Sequence, residues 1–295
     1  MDLTSILQVL SVGLTVGALY ALIALGLNLI YGTMRLLNIA HGELIMIGAY
    51  ITYSFFTRLG LSPLISIFVV MAISLIMGLA ICAGIFMPLI RKSKSVSVVE
   101  ANSLLIFYGF SIILTNVACL IWKTDIRGYS YLTKMVSIGG VSLMYNKVVV
   151  LVVALIVCIG CYLVLQKTLL GKAVRALIQD REAARLVGIN TNSIYFFSFG
   201  MAFAMAGLAG ALLSMFYEIT PFMGMSYTIV AFIVVVLGGL GNLFGSLIGG
   251  FLLGILEAIG VSITSPGYRP LLSYAVFVLV ILLRPEGIFT KRKRV

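Results

Sequence analysis

A small set of polar residues interrupts an otherwise apolar sequence, and these residues are the candidates for chemistry. Four of them lie close together early in the chain: Asn28, Asn38, His41 and Glu43. Carboxylates are costly in hydrocarbon and normally face a bundle interior or a water-filled cavity. His41 and Glu43 are two residues apart and point to different faces of a helix, which argues against a shared metal site. We interpret His41-Gly42-Glu43 as a helix start with Glu43 near the positive helix end, and a proton relay or substrate site is the alternative.

The longest strongly charged segment covers residues 171 to 190. Its charged side chains alternate with apolar ones at helical spacing, and this pattern predicts one short amphipathic helix between two membrane spans. Gly188 is the expected stop, because glycine adopts the left-handed conformation that ends a helix at little cost. Two interpretations remain open: a solvated loop whose charges only fix the topology, or a docking helix for a cytoplasmic partner.

A third candidate is the glycine series that begins with Gly238, Gly239 and Gly241 and continues to Gly254. Its small-xxx-small spacings favour close packing of helices, and a flexible gate is the alternative.

No pattern typical of an enzyme is present. The sequence has no Gly-x4-Gly-Lys-Ser/Thr phosphate loop, no zinc-ligand spacing and no nucleophile elbow. The four cysteines all lie in apolar segments, and we interpret them as lipid-facing or packing residues. We therefore expect no cofactor and no metal, and a membrane-embedded enzyme is a distant third interpretation. The energy for any active transport must come from a partner or an ion gradient.

Composition decides the broad class of protein. With 62% hydrophobic and 10% charged residues and a mean hydropathy of +1.19, the chain is expected to be an all-α, polytopic transmembrane helical bundle in a lipid bilayer. Its net charge of +11 does not indicate nucleic-acid binding, because the basic residues are dispersed between apolar runs without a recognition surface.

Nine apolar runs predict the membrane spans, with eight or ten as alternatives. They cover about residues 5–30, 40–57, 62–90, 97–121, 146–166, 194–216, 226–240, 243–260 and 269–284. Most lysines and arginines fall in loops on the side that also holds residues 171–190 and the basic tail 291–294. The positive-inside rule then places the N-terminus outside and the C-terminus in the cytoplasm.

The first and sixth runs both end in a polar break that is followed by a similar apolar stretch, which indicates a weak internal repeat. The two copies would be inverted, a common way to build a transport pathway at their interface, and chance similarity is the alternative. The chain then divides into one permease domain with four parts: repeat one (about 5–166), a cytoplasmic coupling loop (167–193), repeat two (about 194–284) and a basic tail (285–295).

Several motifs carry a family resemblance. Glu182-Ala183-Ala184-x3-Gly188 resembles the Glu-Ala-Ala loop through which permease subunits of ABC importers engage their ATPases. The wider set is Gly26-Leu27-Asn28 with Tyr31-Gly32, Asn38 to Glu43, Gly48-Ala49-Tyr50, Gly188-Ile189-Asn190, Ala206 to Gly210, Leu237 to Asn242 with Gly245, and Arg284 to Gly287. In combination these motifs resemble the LivH-type permease of branched-chain amino acid importers over nearly the whole chain.

The resemblance implies an inverted-repeat ABC permease that forms half of a heterodimeric pathway in a bacterial or archaeal cell membrane. Its partners would be a LivM-type second permease, two cytoplasmic ABC ATPase subunits and an extracytoplasmic substrate-binding protein. The substrate would be leucine, isoleucine or valine, or a related small polar solute such as urea or an amide.

The candidate residues take roles accordingly. Coupling to the ATPases is expected of Arg175, Arg181, Glu182, Ala183, Arg185 and Gly188, and the pathway or its gate is expected at Asn28, Asn38, His41, Glu43, Gly238, Gly239 and Gly241. The rival function is an ion-coupled secondary carrier or channel that uses Glu43, Glu100 or Glu257 as a protonatable group.

Overall fold

The computed structural model describes residues 3–93, 95–138, 141–284 and 287–289. The predicted basic tail and parts of the 284–287 motif lie outside these residues, as does Lys94. The described chain is an all-α polytopic bundle with one small two-stranded hairpin, so the predicted fold class is confirmed.

The bundle is built from long helices joined by short connections. The helices are α1 (Leu3–Met34), α2 (His41–Leu59), α3 (Pro63–Ile81), α4 (Met87–Lys92), α5 (Val96–Trp122), α6 (Tyr145–Lys167), α7 (Leu169–Gln179), α8 (Arg181–Leu186), α9 (Thr191–Leu213), α10 (Met223–Gly238), α11 (Leu243–Ile263) and α12 (Arg269–Leu283). A π-helical turn (Cys82–Phe86) joins α3 to α4, and a 3-10 turn (Pro266–Tyr268) precedes α12.

Each predicted apolar run corresponds to a helix, but the count of nine spans is not confirmed. Within the described ranges, seven helical segments are long and apolar enough to cross a membrane: α1, α3 with α4, α5, α6, α9, α11, and α12 with the turn before it. Helix α10 has only 16 residues. Helix α2 has 19 residues, but His41, Glu43 and Arg58 lower its hydropathy.

Two helices form the centre of the bundle. From Thr15 onwards α1 is almost entirely buried, and so is most of α9. Helix α1 packs along α11 through facing glycines, Gly17 and Gly254, while α9 packs along α3, where Gly207 faces Ser74. Small residues let helix backbones approach closely where lipid supplies no hydrophobic drive for association. The first helix of each predicted repeat therefore packs against the third helix of the other repeat.

One end of the bundle carries the β-hairpin, and we call it the hairpin end. Strands β1 (Met135–Ile138) and β2 (Val141–Met144) pair antiparallel there. The preceding loop crosses the bundle, where Tyr129 hydrogen-bonds Ser214 at 2.8 Å after the end of α9. Arg127 forms an isolated bridge with Ile219 in the connection between α9 and α10.

The opposite end carries α7 and α8, and here one prediction was wrong. The single amphipathic helix expected over 171–190 is two helices, because Asp180 has extended backbone (φ −153°, ψ 117°) and caps α8 with its side chain. The apolar periodicity continues across the break, which is why spacing alone did not show it. We call α7, α8 and the residues up to Gly188 the charged segment (169–188).

Candidate functional site

The charged segment ends in capped turns that its sequence dictates. The Asp180 carboxylate accepts hydrogen bonds from the backbone N–H groups of Glu182 (2.9 Å) and Ala183 (3.0 Å), which starts α8. At the other end Gly188 takes φ +84°, and its N–H donates to Arg185 O at 3.0 Å. Ile189 donates to Ala184 O at 3.1 Å, so α8 ends in a Schellman motif. Gly188 therefore stops the helix as predicted.

One face of the charged segment is open to its surroundings. Glu182, Ala183, Arg185 and Gly188 are all exposed. Two apolar residues beside them are also strongly exposed, Leu186 at 88% and Val187 at 76%. Exposed apolar side chains next to charged ones, outside the candidate membrane spans, are typical of a surface that meets another protein.

The other face attaches the segment to the bundle. The guanidinium of Arg175 donates a hydrogen bond to the Leu165 carbonyl at the end of α6. Ile178 packs between two glycines, where a methyl group on Gly32 or on Gly241 would lie 3.1 Å or 3.4 Å from its side chain. The segment thus touches both the end of α1 and the connection between α10 and α11.

Arg181 also points toward the bundle. It lines a cavity of about 580 Å³ with Arg35, Glu100 and Tyr195, and its Nη2 has no partner among the described residues. Burial lowers the pKa of the Arg181 guanidinium, and the nearby Arg35 lowers it further against the opposing effect of Glu100. The sequence did not single out Arg35 as a site residue. The structure draws attention to it through its left-handed backbone (φ 55°), which is unusual outside glycine.

Three predicted gate glycines lie in the connection from α10 to α11, which we call the glycine turn (238–245). Gly239 and Gly241 have positive φ, +97° and +83°, which only glycine adopts at little cost. A methyl group on Gly238 would overlap the backbone of Gly245, so these two positions require glycine for close approach.

Asn28 of α1 fastens this turn. Its amide nitrogen donates to Ser246 Oγ at 2.6 Å and to Asn242 O at 3.1 Å, and its amide oxygen accepts from the Gly241 N–H at 2.7 Å. The side chain is fully buried. Its partners are more than 210 positions away in sequence, so the sequence marked Asn28 as polar without showing what it holds.

The last described residues close over the same turn. The Ile288 N–H donates to Leu237 O at 2.9 Å, and Asn242 Nδ2 donates to Phe289 O at 2.9 Å. Asn242 also caps α11, because its side-chain oxygen accepts from the Gly245 N–H at 3.0 Å. The glycine turn is thereby hydrogen-bonded from several directions.

The remaining gate candidates lie in the connection from α1 to α2, which we call the α1–α2 corner (35–43). Helix α2 starts at His41 with Glu43 in its first turn, as predicted. His41 Nε2 lies 3.1 Å from Ile23 O. Asn38, His41 and Glu43 are at most 3% exposed, yet both polar atoms of Asn38, His41 Nδ1 and Glu43 Oε2 have no hydrogen-bond partner among the described residues.

The corner meets the start of α10. Thr228 accepts a hydrogen bond from the Gly42 N–H at 2.8 Å and donates one to Ile39 O at 2.9 Å. A methyl group on Gly42 would overlap the carbonyl of Gly224. The N-terminal ends of α2 and α10 therefore meet inside the bundle, and both present their positive dipole ends there.

No group of three or more metal-ligating side chains occurs in the part of the chain that the structure describes. The candidate residues instead lie in three places: the exposed charged segment, the hydrogen-bonded glycine turn that it contacts, and the buried polar corner.

The family model described as "Branched-chain amino acid transport system / permease component" matches residues 9–283. The branched-chain amino acid permease protein BraD of Pseudomonas aeruginosa is 34% identical, covering 96% of this chain and 95% of its own length. LivH of Salmonella typhimurium is 29% identical over 96% of this chain and 94% of its own. A probable LivH of Methanocaldococcus jannaschii is 29% identical over 92% and 88%. No solved structure matches.

Proposed function

Because this chain belongs to the family of permease components of branched-chain amino acid transport systems, we propose that it forms half of a heterodimeric pathway for ATP-driven import. Its substrate class is leucine, isoleucine and valine. The other half is a LivM-type permease, two ABC ATPases bind on the cytoplasmic side, and an extracytoplasmic binding protein delivers the substrate. The relatives support this function and not the ion-coupled carrier that uses Glu43, Glu100 or Glu257.

The observation that carries the proposal is the two-faced charged segment. Glu182, Ala183, Leu186 and Val187 are exposed on one side, while Ile178 on the other side packs against Gly241 of the glycine turn. An ATPase that moves the exposed face also moves Ile178. The contact therefore links the ATPase to a turn that is hydrogen-bonded to α1 through Asn28.

In this proposal the residues of the charged segment have two roles. Glu182, Ala183, Arg185 and Gly188 form the ATPase-facing surface. Arg175 and Arg181 attach the segment to the bundle, because one donates to Leu165 O and the other lines the cavity beside Arg35.

The buried corner and the glycine turn supply the pathway and its gate. Asn38, His41 and Glu43 present polar atoms inside the bundle that have no hydrogen-bond partner among the described residues. A polar solute or water can contact such a surface. The exchanged packing of α1 with α11 and of α9 with α3 supports two inverted repeats that tilt in alternation to open the cavity to either side.

Orientation follows from the charges. The cations of the charged segment support a cytoplasmic position for that end of the bundle under the positive-inside rule, with the hairpin end facing outward. The first described residues lie at the hairpin end, where Gln8 donates to Ser142 O.

The test is the double variant Glu182→Ala/Gly188→Ala in cells that express the complete importer. Both positions are exposed, so the chain should still insert into the membrane, while ATPase co-purification and leucine uptake should fall by at least about tenfold. The matched control is Glu218→Ala, which removes an exposed carboxylate at the hairpin end and should leave ATPase co-purification unchanged. Normal coupled uptake by the double variant would overturn the assignment of the charged segment.

A further inference from the structure

A second polar cluster lies in the bundle, apart from the charged segment, the glycine turn and the corner. Glu257 of α11 is only 2% exposed. Tyr20 of α1 donates a hydrogen bond to its Oε2 at 2.8 Å, and the hydroxyl of Ser273 of α12 donates to its Oε1. Arg269 at the start of α12 completes the cluster and donates to Tyr217 OH at 2.7 Å. Four parts of the chain thus converge on one carboxyl group and one guanidinium.

The two charged side chains are close but poorly paired. Arg269 Nε lies 3.9 Å from Glu257 Oε2, which is beyond the range of a hydrogen bond. This Nε is buried and has no hydrogen-bond partner among the described residues. A buried ion pair offsets its loss of hydration only when its geometry is good and its remaining polar atoms are satisfied. The pair is therefore poorly explained as a fastener between α11 and α12.

A cavity of about 170 Å³ adjoins the pair. The charged and hydroxyl groups of the cluster line it together with apolar side chains, among them Val16, Leu19, Leu213 and Val230. The volume is below the usual range of cavities that hold drug-sized ligands. The cavity is thus suited to a small molecule with one charged end and one apolar end.

We propose that this cavity binds an α-amino acid with a branched apolar side chain, its carboxylate on Arg269 and its ammonium group on Glu257. An α-amino acid carries its two charges on groups attached to the same carbon atom, and this separation matches side chains only 3.9 Å apart. The four charges then alternate in sign around the site. The apolar side chain lies against Leu19, Leu213 and Val230. This inference rests on the proposed function and deepens it, because it assigns a substrate site to the permease itself.

The same geometry predicts which ligands are rejected. A carboxylic acid without the ammonium group offers Glu257 no cation, and an amine without the carboxylate offers Arg269 no anion. Unpaired buried charges are more costly than the lost contact alone. The site should therefore select zwitterions.

The first experiment uses the complex of both permeases with their ATPases in lipid nanodiscs, without the binding protein. Radiolabelled leucine is bound and then displaced by unlabelled leucine, by 4-methylpentanoate, which lacks the ammonium group, and by 3-methylbutylamine, which lacks the carboxylate. We expect each analogue to be weaker than leucine by at least about tenfold. Equal displacement by all three, or no binding of leucine, would overturn the site.

Variants of the same complex locate the binding. Glu257→Gln and Arg269→Lys should each weaken leucine binding by about tenfold or more. Leu213→Phe fills part of the cavity and should weaken the binding of leucine more than the binding of alanine. General destabilisation would not change the ratio of the two affinities in this way. Glu218→Gln, an exposed carboxylate outside the cavity, is the control and should bind leucine as the wild type does. Unchanged leucine binding in Glu257→Gln contradicts the inference.

A parallel assay separates this inference from the proposed function. ATP-dependent leucine uptake by the complete wild-type importer, with its binding protein, reports on the function alone. Uptake without leucine binding at the cavity rejects only the site. Absence of uptake of any branched-chain amino acid rejects the function on which it rests.

Discussion

Asn28, which contacts the glycine turn, and Asn38, in the α1–α2 corner, are both fully buried, yet the hydrogen bonding of their side chains is opposite. In the glycine turn, Asn28 uses both ends of its amide, to Gly241 N and to Asn242 O and Ser246 Oγ. In the corner, Asn38 is equally buried and neither polar atom of its side chain has a partner among the described residues. Two asparagines ten positions apart therefore do different things.

This difference distinguishes a polar side chain that stabilises the fold from one that is available to contact a solute. Buried amides are normally satisfied, and a satisfied one stabilises a single arrangement. An unsatisfied buried amide is costly, and such costs are concentrated at functional sites. We therefore propose that the glycine turn is the fixed hinge of the gate and that the corner contacts the solute.

The largest expected effect in this comparison is that of Asn28→Leu. The substitution leaves the Gly241 N–H without its partner and breaks the hydrogen bonds to Ser246 Oγ and to the Asn242 carbonyl, which still accepts from the Ser246 N–H. An unsatisfied polar group of this kind costs about 1–3 kcal/mol. We expect the free energy of unfolding of the purified chain in detergent to fall by about 3 kcal/mol. Thermal and denaturant unfolding followed by circular dichroism measure it.

The control for this variant lies in the same network. Ser246→Ala removes only one of the Asn28 partners and should lower stability by about 1 kcal/mol. An Asn28→Leu protein as stable as the wild type would show that the glycine turn is held by other contacts, and the distinction between the two regions would fail.

The contrast also shows what sequence can and cannot predict. The nine apolar runs correspond to helices within a few residues, because length and hydropathy are local properties. The helix starts at His41 and the stop at Gly188 are likewise local signals. The network of Asn28 is invisible in sequence, since its partners are set by how α1 packs on α11. The break at Asp180 is hidden because both helices share one apolar periodicity.

The Glu257–Arg269 pair likewise could not be predicted from the sequence. Glu257 stands out in the sequence as a carboxylate in an apolar run, but its neighbours Arg269 and Tyr20 belong to other helices. A loop charge such as Arg269 is read from sequence only as a sign of topology. Its position over a cavity becomes visible once α12 is placed against α10 and α11.

The intermediate effect is expected from Gly42→Ala at the corner. The added methyl group overlaps the Gly224 carbonyl, so the starts of α2 and α10 must move apart, and overpacking of this kind typically costs about 1–3 kcal/mol. We expect lower stability together with a loss of leucine uptake that exceeds the loss of folded protein. The uptake rate is divided by the amount of the variant chain in the membrane of the same cells.

A matched glycine in α5 provides the control for this variant. A methyl group on Gly109 meets nothing within 4 Å, and alanine is favoured over glycine inside a helix by about 0.5–1 kcal/mol. Gly109→Ala should therefore stabilise the chain slightly and leave uptake unchanged. If both variants behaved alike, the contact between the two helix starts would have no special role.

The smallest effect on stability is expected from Asn38→Leu, and this makes it the sharpest test of the comparison. The substitution exchanges an amide without described protein partners for an apolar group of similar size, so no protein hydrogen bond is lost and stability should change by less than about 1 kcal/mol. Uptake should nevertheless fall, because a polar solute or its water loses an amide on its path. The same asparagine-to-leucine exchange at Asn28 should do the reverse, with a large loss of stability. Equal stability losses at the two positions would mean that Asn38 is also a fastener, and the corner would then no longer be the contact surface of the pathway.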